Sequence, residues 1–334
     1  MRDSEYAVFV SSGIPRIAFR SDINRHLKHA ALDALRPFTW RRKAYADIIK
    51  WAVRLKIDRL LAIEDAIEYL PVGIEGLFEA LQRAYSVKAC QFVIVWPPQK
   101  CRNRIYVHIF DEEGHQIGFA KVSLDESNDT PIRNEVCALN YLESLRPATF
   151  KFPEVIAHDK WNGHDYCLTT PIPTDARPLS LKDKFPSECF NEYVGARIRL
   201  PVASILQTEH WQKYRQCSLV PSNVVDFIES RSSEIAELGR VHGDFGAMNI
   251  AKRSNGYFLF DWEYSEPSAP YLVDEVMFLL VSAQRRFLRR PHDGVRRLRE
   301  RFCNINEHDL VLALIHLSST GRDVATGILK HWTF

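Results

Sequence analysis

The sequence predicts an α+β chain with a strand-rich lobe, then a larger and mainly helical lobe, and a helical extension ahead of both. Three observations carry that prediction. From Cys90 to Thr170, short apolar runs alternate with turn residues, the pattern of an antiparallel sheet. Beyond residue 174, apolar residues recur three and four apart over long stretches, the pattern of amphipathic helices. Between the two, Thr169-Thr170-Pro171-Ile172-Pro173 reads as a stiff connection, because proline fixes φ and offers no N–H. The expected divisions are an accessory region over 1–87, a strand lobe over 88–173 and a helical lobe over 174–334.

Composition fits this reading. A chain of 334 residues can bury two cores, and 46% hydrophobic with 26% charged residues is globular rather than disordered. The net charge of +2 singles out no nucleic-acid partner. The 7 cysteines are scattered without a C-x-x-C pair, so they read as reduced thiols of a cytoplasmic protein rather than a zinc site or disulfide frame. The apolar run Tyr6–Val10 is too short for a signal peptide, and no window reaches membrane-spanning length.

In the accessory region, Phe9 to Phe19 has strand character interrupted by Ser11-Ser12-Gly13 and Pro15. Helical spacing follows over Arg41–Leu55, Ile63–Tyr69 and Gly73–Tyr85, the last with Ile74, Leu77, Phe78 and Leu81 on one face. The cluster Arg36, Arg41, Arg42, Lys43 reads as a solvated helix face, or as a contact to an anionic substrate or the periphery of a membrane.

The strand lobe opens with Gln91–Trp96, then a glycine-free loop over 97–104 carrying Lys100, Arg102 and Arg104, then strands Ile105–Phe110 and Gln116–Leu124. Asp129–Leu145 reads as a helix, with Pro131 in its first turn and Val136, Leu139, Leu142 and Leu145 as its apolar stripe. Two more strands, Lys151–His158 and His164–Thr170, complete the lobe. The helical lobe begins with Ser187–Leu200, Ala203–Cys217 and a long helix Asn223–Arg240 capped by Ser222.

That helix delivers the chain into Val241-His242-Gly243-Asp244-Phe245-Gly246-Ala247-Met248-Asn249-Ile250, where polar groups interrupt an apolar run. Asn255-Gly256 is a hairpin signal, and the apolar strand Tyr257–Phe260 leads to Asp261-Trp262-Glu263. A short hairpin would thus return Asp261 beside Asn249. Two carboxylates and an amide are the groups that phosphoryl transfer needs, one to orient and deprotonate an acceptor hydroxyl and two to hold a hard cation through oxygen.

His-Gly-Asp-x-x-x-x-Asn followed by apolar-Asp-Trp-Glu resembles the aminoglycoside phosphotransferase and choline kinase group, the small-molecule branch of the protein-kinase-like fold. The form HGDF, then FDWEY, looks like phosphotransferases of bacterial surface-polysaccharide gene clusters. The resemblance covers roughly residues 88–330, and Gly243 in place of the Arg of H-R-D points to the small-molecule branch. It implies a two-lobed fold with Asp244 as base and Asn249 and Asp261 as Mg2+ ligands. His242 and Asp274 would support the loop, and Glu263 would help hold a second metal or a substrate amine. In the strand lobe, Lys121 would pair with the nucleotide phosphates, with Glu135 as its partner. Adenine would meet backbone groups near Leu168, Thr170 and Ile172. Read without the resemblance, Lys121 is a surface lysine and Glu135 an acid favoured near a helix N-terminus.

The implied activity is transfer of the γ-phosphate of ATP, or of GTP, to a hydroxyl of a small molecule or sugar. The alternative is a catalytically silent kinase-like binding module: the full set of charges favours the enzyme, and the glycine-free loop favours the module. The arginine-rich run from Arg285 to Arg301 reads as a solvated helix or as a site for an acidic glycan, phosphorylated sugar or anionic lipid.

Overall fold

The computed structural model describes residues 6–11, 13–20, 22–23, 25–34, 40–58, 67–85, 90–97, 103–180 and 183–334. The chain is α+β and divides into two compact units: residues 1–140 with 153–173, and residues 141–152 with 174–334. No described helix is long and apolar enough to cross a membrane.

The first unit is built on a seven-stranded antiparallel sheet. Its strands are β1 (Tyr6–Ser11), β2 (Ile14–Arg20), β3 (Gln91–Val95), β4 (Arg104–Phe110), β5 (Gln116–Ser123), β7 (Val155–Trp161) and β8 (His164–Thr169), in the order β1-β2-β3-β4-β5-β8-β7. The intervening β6 (Phe150–Lys151) belongs to the second unit. Side chains alternate between faces along each strand, so one sheet can serve two cores. On one face Val8, Ile94, Ile105 and Val107 pack with Leu77, Phe78 and Leu81 of a helix spanning Ile74–Ala84. On the other face Phe9, Phe19 and Val93 pack with Leu27, Ala31, Ile49 and Val53 from α1 (Arg25–Ala34) and α2 (Trp40–Leu55). The Ile74–Ala84 helix is α3.

The region expected to stand apart over 1–87 is therefore part of this unit. It supplies the two strands at one side of the sheet, with β1 at the edge, and helices to both faces, because the broken run Phe9–Phe19 is a hairpin that extends the sheet. Within the expected helix 63–69, only 67–69 is described, as a short 3-10 turn. The side chains of Arg36, Arg41, Arg42 and Lys43 lie outside the described part, as do Lys100 and Arg102. Arg104 is the first residue of β4 rather than a loop residue; it is buried, with its guanidinium 5.2 Å from the Tyr106 ring centroid.

Helix α4 (Glu126–Leu145) starts one turn earlier than expected. Asp125 caps it, accepting from the Asn128 N–H at 3.2 Å and from the Ser127 hydroxyl at 2.6 Å. The β7–β8 hairpin turns on Asn162-Gly163, with φ of 50° and 85°, the left-handed pair that a tight hairpin requires.

The second unit is mainly helical. Its helices are α5 (Ser187–Val194), α6 (Val202–Leu206), α7 (Glu209–Gln216), α8 (Ser222–Ser230), α9 (Val273–Ser282), α10 (Gln284–Arg289), α11 (Pro291–Arg301), α12 (Glu307–Ser319) and α13 (Asp323–Leu329). Every residue from His308 to Ser318 of α12 is buried, which makes this helix the centre of the unit. Two small sheets complete it: β10 (Ile198–Pro201), β11 (Ile235–Val241) and β14 (Glu266–Pro270) in one; β6, β13 (Gly256–Leu259), β12 (Ile250–Arg253) and β9 (Arg177–Pro178) in the other.

The expected long helix over 223–240 is really α8 followed by strand β11. Val224, Val225, Phe227 and Ile228 do form a buried helical face. Beyond Ser230, however, burial falls on Ala236, Gly239 and Val241, and β11 pairs with both β10 and β14. Gly239 disfavours helix and allows close packing: a Cβ there would lie 2.8 Å from Val194 Cγ1. Ser222 is the first residue of α8 and makes no capping bond. The expected helix 187–200 stops at Val194, where Gly195 takes φ 62°. The expected helix 203–217 is split at Thr208, whose hydroxyl caps α7 by accepting from Trp211 N–H at 3.2 Å. In the arginine-rich run, Arg286 and Arg296 pair with Asp293, Arg299 with Glu307 and Arg301 with Glu275, so much of its charge is spent on local ion pairs.

Candidate active site

Strand β11 carries the chain into the core and ends at Val241; the loop His242–Asn249 follows. One buried carboxylate organises the entry to this loop. Asp274, in the first turn of α9, is fully shielded from solvent. Its Oδ2 accepts from the His242 N–H at 2.6 Å and the Tyr193 hydroxyl at 2.8 Å, and its Oδ1 accepts from the Gly243 N–H at 2.9 Å. Burial pushes the Asp274 carboxyl up from its ordinary value, opposed by these hydrogen bonds. Burial likewise pushes the Tyr193 phenol up, with Asp274 adding to the effect.

The His242 ring faces inward. Its Nε2 lies 3.1 Å from the Phe260 carbonyl, and its Nδ1 accepts from the Asp244 N–H at 3.3 Å. The ring packs at 4.4 Å from that of Trp262, which is itself fully buried. His242 therefore ties the loop to the β13 hairpin and is not presented to a ligand. Gly243 takes φ 79°, and a Cβ there would lie 2.1 Å from the Tyr264 carbonyl oxygen. Any larger residue at 243 collides with backbone, which explains the glycine physically.

Asp244 lies just past this anchor, with a side-chain exposure of 17%. The Asn249 amide nitrogen donates to its carbonyl at 2.8 Å and to its Oδ2 at 3.0 Å. Asn249 is held in turn by a short 3-10 turn, Ala247–Asn249, and its own carbonyl accepts from the Phe260 N–H at 3.1 Å. Because Ile250 pairs with Leu259, the β12–β13 hairpin brings Asn249 and Asp261 to the same end. The turn of that hairpin is Ser254-Asn255, one residue earlier than expected, since Gly256 already pairs with Arg253. Gly256 has φ 107°, and a Cβ there would sit 2.6 Å from the Thr149 carbonyl. Asp261 has φ 68°, a left-handed conformation uncommon outside glycine and a frequent companion of functional positions. Glu263 is buried in the turn closed by Ser265 N–H to Trp262 C=O, at 3.0 Å.

A residue without a sequence signal also reaches Asp244. The Arg322 Nη2 donates to Asp244 Oδ1 at 2.6 Å. Tyr193, likewise unmarked in the sequence, completes the Asp274 cluster.

In the first unit, Lys121 on β5 and Glu135 on α4 form an ion pair at 2.8 Å, with both side chains buried. A buried pair of this kind is costly to desolvate and is weak evidence for stability. Leu168 is fully buried inside β8, flanked by β5 and β7, and is not open to an outside ligand. The Thr170 N–H donates to the Glu154 carbonyl at 2.9 Å, and its hydroxyl accepts from the Glu154 N–H at 2.9 Å. Ile172 lies beyond the last strand and is half-buried.

No known family model matches the sequence, and no curated protein does. The chain is similar to solved structures of small-molecule phosphotransferases. One is an aminoglycoside phosphotransferase variant crystallised with ADP and hygromycin B: 12% identity, 76% of this chain and 96% of that one covered, TM-score 0.46. Another is a choline/ethanolamine kinase family protein from Mesorhizobium loti: 13% identity, 76% and 92% covered, TM-score 0.40. A third is an aminoglycoside phosphotransferase from Streptomyces rimosus: 10% identity, 75% and 98% covered, TM-score 0.43.

Proposed function

We propose that the chain is a nucleotide- and magnesium-dependent phosphotransferase that moves a γ-phosphate to a hydroxyl of a small molecule or sugar, with Asp244 as the base. The observation that carries this reading is the Asp244–Asn249 contact at 3.0 Å, set at one end of a hairpin that also carries Asp261. Asp274, by fixing two successive backbone N–H groups, holds the loop in place for that work.

The donor set fits magnesium. The Asn249 amide nitrogen is spent on Asp244, so oxygen is the atom it can offer, and Asp261 adds a carboxylate. Magnesium, when bound, neutralises charge on the transferred phosphate. Asp244 orients the acceptor hydroxyl and takes its proton. Lys121, positioned by Glu135, meets the α- and β-phosphates of ATP or GTP. Thr170 and Ile172 mark where the base is read, and Leu168 has no part in it. A sugar of surface-polysaccharide assembly is the acceptor class that the HGDF and FDWEY motifs suggest. The cytoplasm, where nucleotide and magnesium are abundant, is the compartment this chemistry suits.

The test is nucleotide consumption over a metabolite panel, paired with thermal shifts in ATP, GTP and magnesium. Asp244→Asn should keep the nucleotide-dependent shift and lose turnover. Wild-type turnover in that variant would remove Asp244 from the base role, and no shift with any nucleotide would favour a silent binding module.

A further inference from the structure

We propose that Arg322 is a specificity-determining residue that reads an anionic group on the acceptor. On this view the hydroxyl beside Asp244 belongs to a molecule carrying a carboxylate or phosphate. The inference rests on the phosphotransferase reading and adds to it the charge of the substrate.

The position of Arg322 is fixed from both sides. Gly321 turns the chain out of α12 with φ 81°, and the Arg322 N–H donates to the Leu317 carbonyl at 3.0 Å. The Arg322 carbonyl accepts from Ala325 and Thr326 N–H at 2.9 and 3.2 Å as α13 begins. From this anchor the guanidinium reaches Asp244 and lies 5.7 Å from the Tyr264 ring centroid, beside the Asp261-Trp262-Glu263 turn. Its side chain keeps 31% exposure, so a solute can reach it.

The guanidinium is underused. It presents five N–H donors in a fork that matches a carboxylate or phosphate two at a time. Asp244 takes one, at a single oxygen. The Nε is shielded from solvent, and no described group accepts from it. A tether for Asp244 is not needed, because Asn249 already holds both its carbonyl and its Oδ2. A guanidinium resting on Asp244 also occupies Oδ1 while Asn249 holds Oδ2, so neither oxygen is left to an acceptor hydroxyl. An acidic acceptor resolves both points. Its anion occupies the open fork, draws the guanidinium from Asp244 Oδ1, and leaves that oxygen to the hydroxyl. A cationic acceptor would meet repulsion at the same place.

The experiment uses the full chain with magnesium and AMP-PNP, and matched probe pairs: glucuronate against glucose, and glycerate against glycerol. Binding is read by saturation-transfer NMR and by thermal shift. Wild type should favour the acidic member of a pair at least tenfold. Arg322→Gln should abolish that preference while AMP-PNP still binds, and Arg322→Lys should restore part of it. With an acceptor found by turnover, Arg322→Gln should raise KM for the acidic compound more than it lowers kcat. Equal binding of acidic and neutral probes by wild type overturns the proposal, whatever the variants do. So does a preference that survives in Arg322→Gln. Failure of AMP-PNP to bind wild type is seen separately, and removes the phosphotransferase reading on which the proposal rests.

Discussion

Replacing Asp274 tests how the loop is held. Asn preserves the shape of the side chain but exchanges one acceptor oxygen for an NH2 donor. The orientation that loses least keeps the oxygen toward His242 N–H and Tyr193 hydroxyl and turns the NH2 toward Gly243 N–H. One buried hydrogen bond to a charged acceptor then disappears, a loss of about 1.5–3 kcal/mol. Part of it is offset, because the neutral amide avoids the burial penalty that raises the Asp274 carboxyl. The expected net destabilisation of Asp274→Asn is about 2 kcal/mol. Tyr193→Phe removes one of three donors and leaves Asp274 two backbone partners, so about 1 kcal/mol is expected. Because the two residues touch at 2.8 Å, the double variant should show a coupling on the order of 1 kcal/mol. Urea unfolding followed by tryptophan fluorescence is suited to this, since the Trp262 ring packs 5.3 Å from that of Tyr193. Turnover should fall in Asp274→Asn even where the protein is fully folded. Strict additivity, or an Asp274→Asn variant within about 0.5 kcal/mol of wild type, would refute the brace.

Two further outcomes follow from the same geometry. Gly243→Ala puts a Cβ about where Tyr264 O stands, at 2.1 Å, and adds the strain of φ 79°. The loop must shift, and turnover should drop by at least about tenfold, with a lower melting midpoint; unchanged turnover would contradict the tight approach. His316 and His108 are buried, and burial pulls both rings down to about 4. Their native forms stay neutral while the unfolded chain protonates near 6.5, so stability is full above that pH and falls as pH drops toward about 4. The ceiling is roughly 3 kcal/mol per ring. His316→Asn should flatten its share of the acid loss, and an unchanged pH profile would show that the ring is solvated or charged in the folded state.

The loop His242–Asn249 and its hairpin were legible because both break an apolar pattern with polar groups: Asp244, Asn249 and Asp261. The Lys121–Glu135 pair was legible through the order of elements, since neither residue has a local signal. Helix α3 was read with all four of its buried positions, because Ile74, Leu77, Phe78 and Leu81 admit only a helical period. The stretch 223–240 was not, because Val224 to Ile228 and Ile235 to Leu238 look like one helical face until strand pairing separates them. The strand character of Phe9–Phe19 was read, but its place in the sheet was not, because only the long-range pairing of β2 with β3 joins this hairpin to the rest. Arg322 and Tyr193 reach the site across 78 and 81 residues of chain, a distance at which spacing carries no information.

The most direct test is calorimetric titration of AMP-PNP, with and without magnesium, into wild type and Asp261→Asn. Wild type should bind with a clear dependence on magnesium, and the variant should lose that dependence while remaining folded. Tight, magnesium-independent binding in both, or no binding in wild type, would contradict the claim that the Asn249–Asp261 end of the hairpin holds the metal for phosphoryl transfer.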